Sequence, residues 1–229
     1  MKFKYLLFLY IFFGVVEIFL VSFQFNFSIY LRPICVILIY SFYVANVKKN
    51  NYFLLFYLTC ELINEVFFLI DFSKYFVLVL TCYSLATFSM LYHIWPLVKR
   101  TNFKTEWNDL LRPILGLLGI LFIFWELISL MFQNLPNYYV FFPALLALLA
   151  WIFFCSILPA KDKHPDNFAL YFIGGSMAVM APTMFMYEFL WSNAIILYLS
   201  LISMLLLKIF LVWYLINLDK ILNSEEEYF

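Results

Sequence analysis

Apolar segments long enough to cross a lipid bilayer follow one another along this chain, and nearly all the polar breaks between them are as short as a turn. A span needs roughly 20 apolar residues, at about 1.5 Å rise each, to cover a hydrocarbon core about 30 Å thick. Windows of that kind fall at about 5–23, 29–46, 52–72, 75–97, 110–132, 137–158, 167–189 and 193–216. The breaks contain QFN, KKNN, DFSK, KRTNFKTEWND, QNLPN, KDKHPDN and WSN, and only the fourth is longer than a short turn. In hydrocarbon every backbone N–H and C=O must find its partner within the segment, so helices are expected throughout. Short breaks make consecutive helices antiparallel neighbours. The expected fold is all-α, a single transmembrane domain over residues 1–229 built as a polytopic bundle of eight helices.

Composition agrees with lipid as the solvent. The chain is 66% hydrophobic and 12% charged, where a soluble domain averages about 45–50% apolar and about 25% charged. The formal net charge of +0 at pH 7 leaves no electrostatic basis for binding nucleic acid. The N-terminal stretch MKFKYLLFLYIFFGVVEIFLV has the basic start of a signal peptide. Its run is of span length and no small-x-small site follows, so it reads as the first helix. With a cytoplasmic N-terminus the breaks alternate sides. Lys2, Lys4, Lys48, Lys49, Lys99, Arg100, Lys104, Arg112, Lys161, Lys163 and Lys220 then lie inside, and only Arg32 and Lys74 outside. That asymmetry is the positive-inside pattern, and it puts both termini in the cytoplasm. The short-looped design suits a bacterial inner membrane. Cys35, Cys60, Cys82 and Cys155 lie inside apolar runs without C-x-x-C spacing, and read as small core residues. LRPI occurs at 31–34 and 111–114, each time opening a helix, where a first-turn proline is harmless. In the break 99–112, Phe103 and Trp107 share a helical face, as in a short amphipathic segment on the inner headgroups.

Ionisable groups inside the spans are the candidates for function, because hydrocarbon tolerates them poorly. They are Glu17, Arg32, Glu61, Glu65, Glu126, Glu188 and Lys208, with His93 near the inner end of the fourth span. Glu17, Glu65 and Glu126 each fall roughly 10 Å below the outer end of their span at 1.5 Å per residue. Glu188 and Arg32 lie nearer that edge, so five helices bring four acids and one base to one level. Four carboxyls beside one guanidinium suit acid–base chemistry, a cationic headgroup, or proton movement. Glu61 and Glu65 are one helical turn apart, flanked by Asn64, with Tyr57 a further turn back on the same face. The row Tyr57–Glu61–Glu65 is expected to point into the bundle. Ser89 and His93 are one turn apart, and His93 reads as a structural histidine. Lys208 leans away from the inner interface, which suits an internal carboxylate partner. No G-x-S-x-G, H-E-x-x-H or other nucleophile or metal signature occurs, so neither cofactor nor metal is expected.

The order of features resembles the lysoplasmalogenase-like (YhhN) membrane family. In that family the second span opens with a basic residue and proline, here Arg32–Pro33, and the third carries an acid in an apolar setting, here Glu65 of INEVFFLI. LATFSMLY keeps the tyrosine of the family's fourth-span pattern as Tyr92 and has Ser89 at its histidine position. FIGGSMAVMAPTMF keeps the glycine of span seven as Gly174 and has Ala181–Pro182 where a Ser–Asp pair is usual. The resemblance implies a hydrolase that cleaves the vinyl-ether bond of a lysoplasmalogen, a lysophospholipid, to a fatty aldehyde and a glycerophospho-headgroup. On that reading Glu65 and Glu61 are the catalytic residues, with Arg32, Tyr57, Asn64, Ser89, Tyr92 and Glu126 binding substrate. Two alternatives use the same bundle: binding of a lipid or small cation without catalysis, and proton-coupled transport. Membrane lipid is the expected partner in each.

Overall fold

A computed structural model describes residues 3–23, 27–100, 107–161 and 167–222. The described residues are helical, with no strand among them: α1 (Lys4–Ser22), α2 (Ser28–Val47), α3 (Tyr52–Arg100), α4 (Trp107–Met131), α5 (Tyr138–Lys161), α6 (Asn167–Phe189) and α7 (Ala194–Leu222). All seven are long and apolar enough to cross a membrane, which marks a multi-pass membrane protein. Their cores coincide with the apolar windows, since length and backbone self-satisfaction leave a lipid-embedded segment little other choice.

The third and fourth windows fall in one element, α3. Its backbone leaves helical geometry at Asp71 (φ −172, ψ 96) and again at Tyr75 (φ −100, ψ 16). Asn51 and His93 nevertheless touch, with Asn51 Nδ2 at 3.2 Å from His93 Nε2, whereas forty-two residues of straight helix would separate them by roughly 60 Å. The Phe53 ring also meets those of Tyr92 and His93 at 5.5 and 5.6 Å. The element is therefore a helical hairpin whose arms, 52–70 and 76–100, run antiparallel. Asp71 helps start the second arm, its Oδ1 accepting a hydrogen bond from the Lys74 N–H at 2.9 Å in the manner of an N-cap. Phe67 and Tyr75 close the tip, 4.7 Å between ring centroids.

Chain contacts divide the protein into two compact units. The first holds Met1–His93 and Pro136–Ala147, hence α1, α2, most of α3 and the first turns of α5. Within it α1 packs along α2, and α2 ends at Lys48, whose N–H still bonds the Val44 carbonyl and whose left-handed backbone (φ 60) turns the chain out of the helix. The second unit holds Ile94–Leu135 and Leu148–Phe229, hence the end of α3, α4, most of α5, α6 and α7. In it α6 and α7 form the principal packed pair and α4 touches α6.

Two sequence-based expectations change. Pro33 is not in the first turn of α2 but is its sixth residue, so its missing N–H withholds a bond from the carbonyl of Ile29 inside the helix. The amphipathic segment expected over 99–112 falls mainly on 101–106, outside the described residues; Arg100 ends α3 and Trp107 opens α4. None of the four cysteines is in a disulfide, and all four are buried.

Candidate functional site

The first unit contains a buried ionic cluster. Arg32 carries a charge that hydrocarbon tolerates poorly, yet it is only 2% exposed. It sits four residues into α2, Glu17 five before the end of α1, and Glu65 six before the break at Asp71. Antiparallel packing of such short-looped helices brings these positions to one level. Arg32 Nε lies 2.9 Å from Glu17 Oε1, and Arg32 Nη1 lies 3.4 Å from Glu65 Oε2. The Nε–H is not aligned on Glu17, so that pair is a charge contact more than a directed hydrogen bond. Three helical segments thus meet on one guanidinium, whose planar fork can face two carboxylates at once.

Around this core lie groups of two kinds. Tyr10, on α1 two turns before Glu17, is buried and within electrostatic reach of Glu65, Cys35 and Glu17. Tyr57 lies within reach of Glu61, Tyr83, Glu65 and Tyr10, and so joins both halves of the cluster. Glu61 is 1% exposed. Phenols and thiols are among the groups near it: Tyr57, Tyr83, Cys60 and Cys82 all lie within its electrostatic reach. The register of the α3 hairpin explains this. Phe67 against Tyr75 and Asn51 against His93 set which residues of the two arms face each other, and the same register places Glu61 opposite Tyr83. Tyr83 approaches Thr87, one turn on, without reaching hydrogen-bond geometry, and both hydroxyls are buried. Asn64 is also buried, at 6% exposed.

The row Tyr57–Glu61–Glu65 therefore points inward, and Glu17, Arg32 and Glu65 converge. Tyr10 and Tyr83 were not legible as candidates in the sequence, and Thr87 was legible only as one polar residue of the fourth span. The one signal at Tyr10 was its two-turn spacing from Glu17. Nothing tied Tyr83 or Thr87 to the cluster until the hairpin register was known.

The remaining candidates stand elsewhere. Ser89 is half-buried and donates to its own helix, at the Ala86 carbonyl. Tyr92 is 67% exposed against Phe53. His93 belongs to a separate polar contact at the open end of the hairpin. Asn51 caps α3 by accepting the Leu54 N–H on Oδ1 at 3.0 Å. This fixes its amide orientation, so Nδ2 is the group that faces His93 Nε2 and the Tyr43 hydroxyl. In the second unit, Glu126 is exposed on α4, Glu188 is half-buried near the end of α6, and Lys208 is 5% exposed on α7. No group of three or more metal-ligating residues occurs among the described residues.

Compared with protein-family models, curated proteins and solved structures, the chain matches none.

Proposed function

We propose that the chain is an eight-span protein of a bacterial inner membrane, lysoplasmalogenase-like, that hydrolyses the vinyl-ether bond of a lysoplasmalogen at the α1–α3 cluster. One observation carries this reading: Glu61 and Glu65, a single helical turn apart on one face of α3, are both almost fully buried. Glu65 has the Arg32 guanidinium at 3.4 Å, and the phenols of Tyr57 and Tyr83 lie within reach of Glu61. Two adjacent buried carboxyls can divide acid and base roles between them. In the proposed reaction Glu61 delivers a proton to the outer vinyl carbon. Glu65 takes one from water as its oxygen bonds to the ether carbon. The resulting hemiacetal collapses: Glu61 takes its O–H proton as the C=O forms, Glu65 gives its proton to the glycerol oxygen as that C–O bond breaks, and fatty aldehyde and glycerophospho-headgroup leave. Arg32 on this reading serves to hold the carboxylates, and Tyr57 and Asn64 line the row. Glu61 takes the part of the second acid that the family pattern puts where this chain has Ala181–Pro182.

That same Ala181–Pro182 favours a second reading, binding of a lysolipid or small cation without catalysis. Purified protein incubated with lysoplasmenylethanolamine separates the two. Hydrolysis predicts aldehyde release that falls at least about 100-fold in Glu65→Gln and in Glu61→Gln, the usual range for loss of a general acid or base. Binding predicts lysolipid retained by the wild type with no aldehyde formed. Unchanged turnover in both variants removes the site assignment.

A further inference from the structure

Glu17, Glu61 and Glu65 are 7%, 1% and 2% exposed; Glu126, in an equally apolar helix, is exposed. It lies in the span Ile114–Asn134, of mean hydropathy 2.3 and only 18% buried. At about 100° per residue, Phe124 projects about 200° from Glu126, and Phe124 is 7% exposed. Glu126 therefore points straight away from the side by which α4 is packed. Its neighbours on that outward face, Phe122, Ile123 and Leu130, are 64%, 55% and 63% exposed. Apolar exposure of this kind is ordinary contact with lipid, but a carboxyl in that position is not. Nor does it reach water by leaning. Helical side chains tilt toward the helix N-terminus, and from Glu126 that direction runs deeper into the span.

A second feature shares the face. Gly119, two turns earlier, projects within about 20° of Glu126, and both it and Gly116 are exposed with nothing within 4 Å of where a Cβ would stand. Glycines at such positions allow another helix backbone to approach closely.

We propose that this face of α4 is the contact between two copies of the chain. The stripe is complementary to itself. Glycine meets glycine, so the helices close up, and a carboxyl can act as both donor and acceptor toward an identical carboxyl across a two-fold axis. That symmetric arrangement removes both acids from lipid at once. It is independent of the hydrolytic reading.

The test uses full-length protein carrying one fluorophore per chain, in phosphatidylethanolamine–phosphatidylglycerol vesicles at low protein-to-lipid ratio. Wild type bleaches in two steps. Glu126→Leu and Gly119→Leu shift the population toward one step, weakening association about tenfold, the loss of one interhelical hydrogen bond or close contact in lipid. Glu126→Gln, which keeps a donor and an acceptor, retains two steps. Unfolding temperatures of protein diluted to the monomer stay unchanged, because both positions face outward within one copy. In parallel, oxidation of Gly119→Cys yields a cross-linked dimer and that of the equally exposed Leu146→Cys on α5 does not. A wild type that bleaches in one step, whether because α4 is covered by a different protein or by none, overturns the proposal. So does an undiminished dimer in Glu126→Leu.

Discussion

At the residue scale, the most telling single group is Arg32. A guanidinium at 2% exposure is tolerated because Glu17 and Glu65 stand at 2.9 and 3.4 Å. Removing one partner of a buried ionic set leaves the others desolvated and uncompensated, at a cost of about 3–5 kcal/mol. Arg32→Leu is therefore expected to lower the unfolding temperature in detergent sharply. The triple variant with Glu17→Gln and Glu65→Gln recovers much of that loss, since it removes the stranded charges. Asn51 allows a finer dissection. Asn51→Ala loses the cap on α3 and both bridging donations, costing about 1–2 kcal/mol. Asn51→Asp keeps the cap through its carboxylate oxygen and loses only the donations to Tyr43 and His93, so its cost is smaller. Equal losses in the two variants, measured by thermal unfolding, show that only the bridge matters.

At the scale of elements, close packing decides which glycines are needed. A Cβ at Gly174 of α6 would stand 2.9 Å from the Cβ of Cys155 on α5. Both atoms are near the backbone, so the helices themselves have to separate. Gly174→Ala is expected to cost about 1–3 kcal/mol, the range for overpacking. Its neighbour is the control: nothing stands within 4 Å of a Cβ at Gly175, and Gly175→Ala is expected to stabilise by about 0.5–1 kcal/mol through helix propensity. Thermal unfolding of the pair shows opposite shifts. The α3 hairpin is the other element-level result. The DFSK break was legible as an interruption, and Asp71 and Tyr75 are where helical geometry fails. The facing of Glu61 and Tyr83 was not legible, because register between two arms depends on how tightly the tip turns.

At the scale of the whole molecule, the hairpin bears on topology. If α3 crosses the membrane twice, cysteines placed at Ser73 and Asn50 lie on opposite sides. An impermeant thiol reagent added outside intact cells then labels Ser73→Cys and not Asn50→Cys, while the four native cysteines, all buried, give little background. Labelling of neither position, with both reached only after permeabilisation, makes α3 a hairpin that enters and leaves on one side. From its order of residues alone this chain was bound to be a set of lipid-length helices, because spanning length and backbone self-satisfaction act within each segment and need no neighbour. Which acids work together was a matter for tertiary structure. Glu17, Glu65 and Glu126 look alike in sequence, each an acid at a similar depth in an apolar helix. Only packing put the first two on Arg32 and turned the third outward. The reason is physical: in a helix that is apolar on every side, lipid and protein interior attract its faces about equally, so nothing in the local pattern sets its rotation.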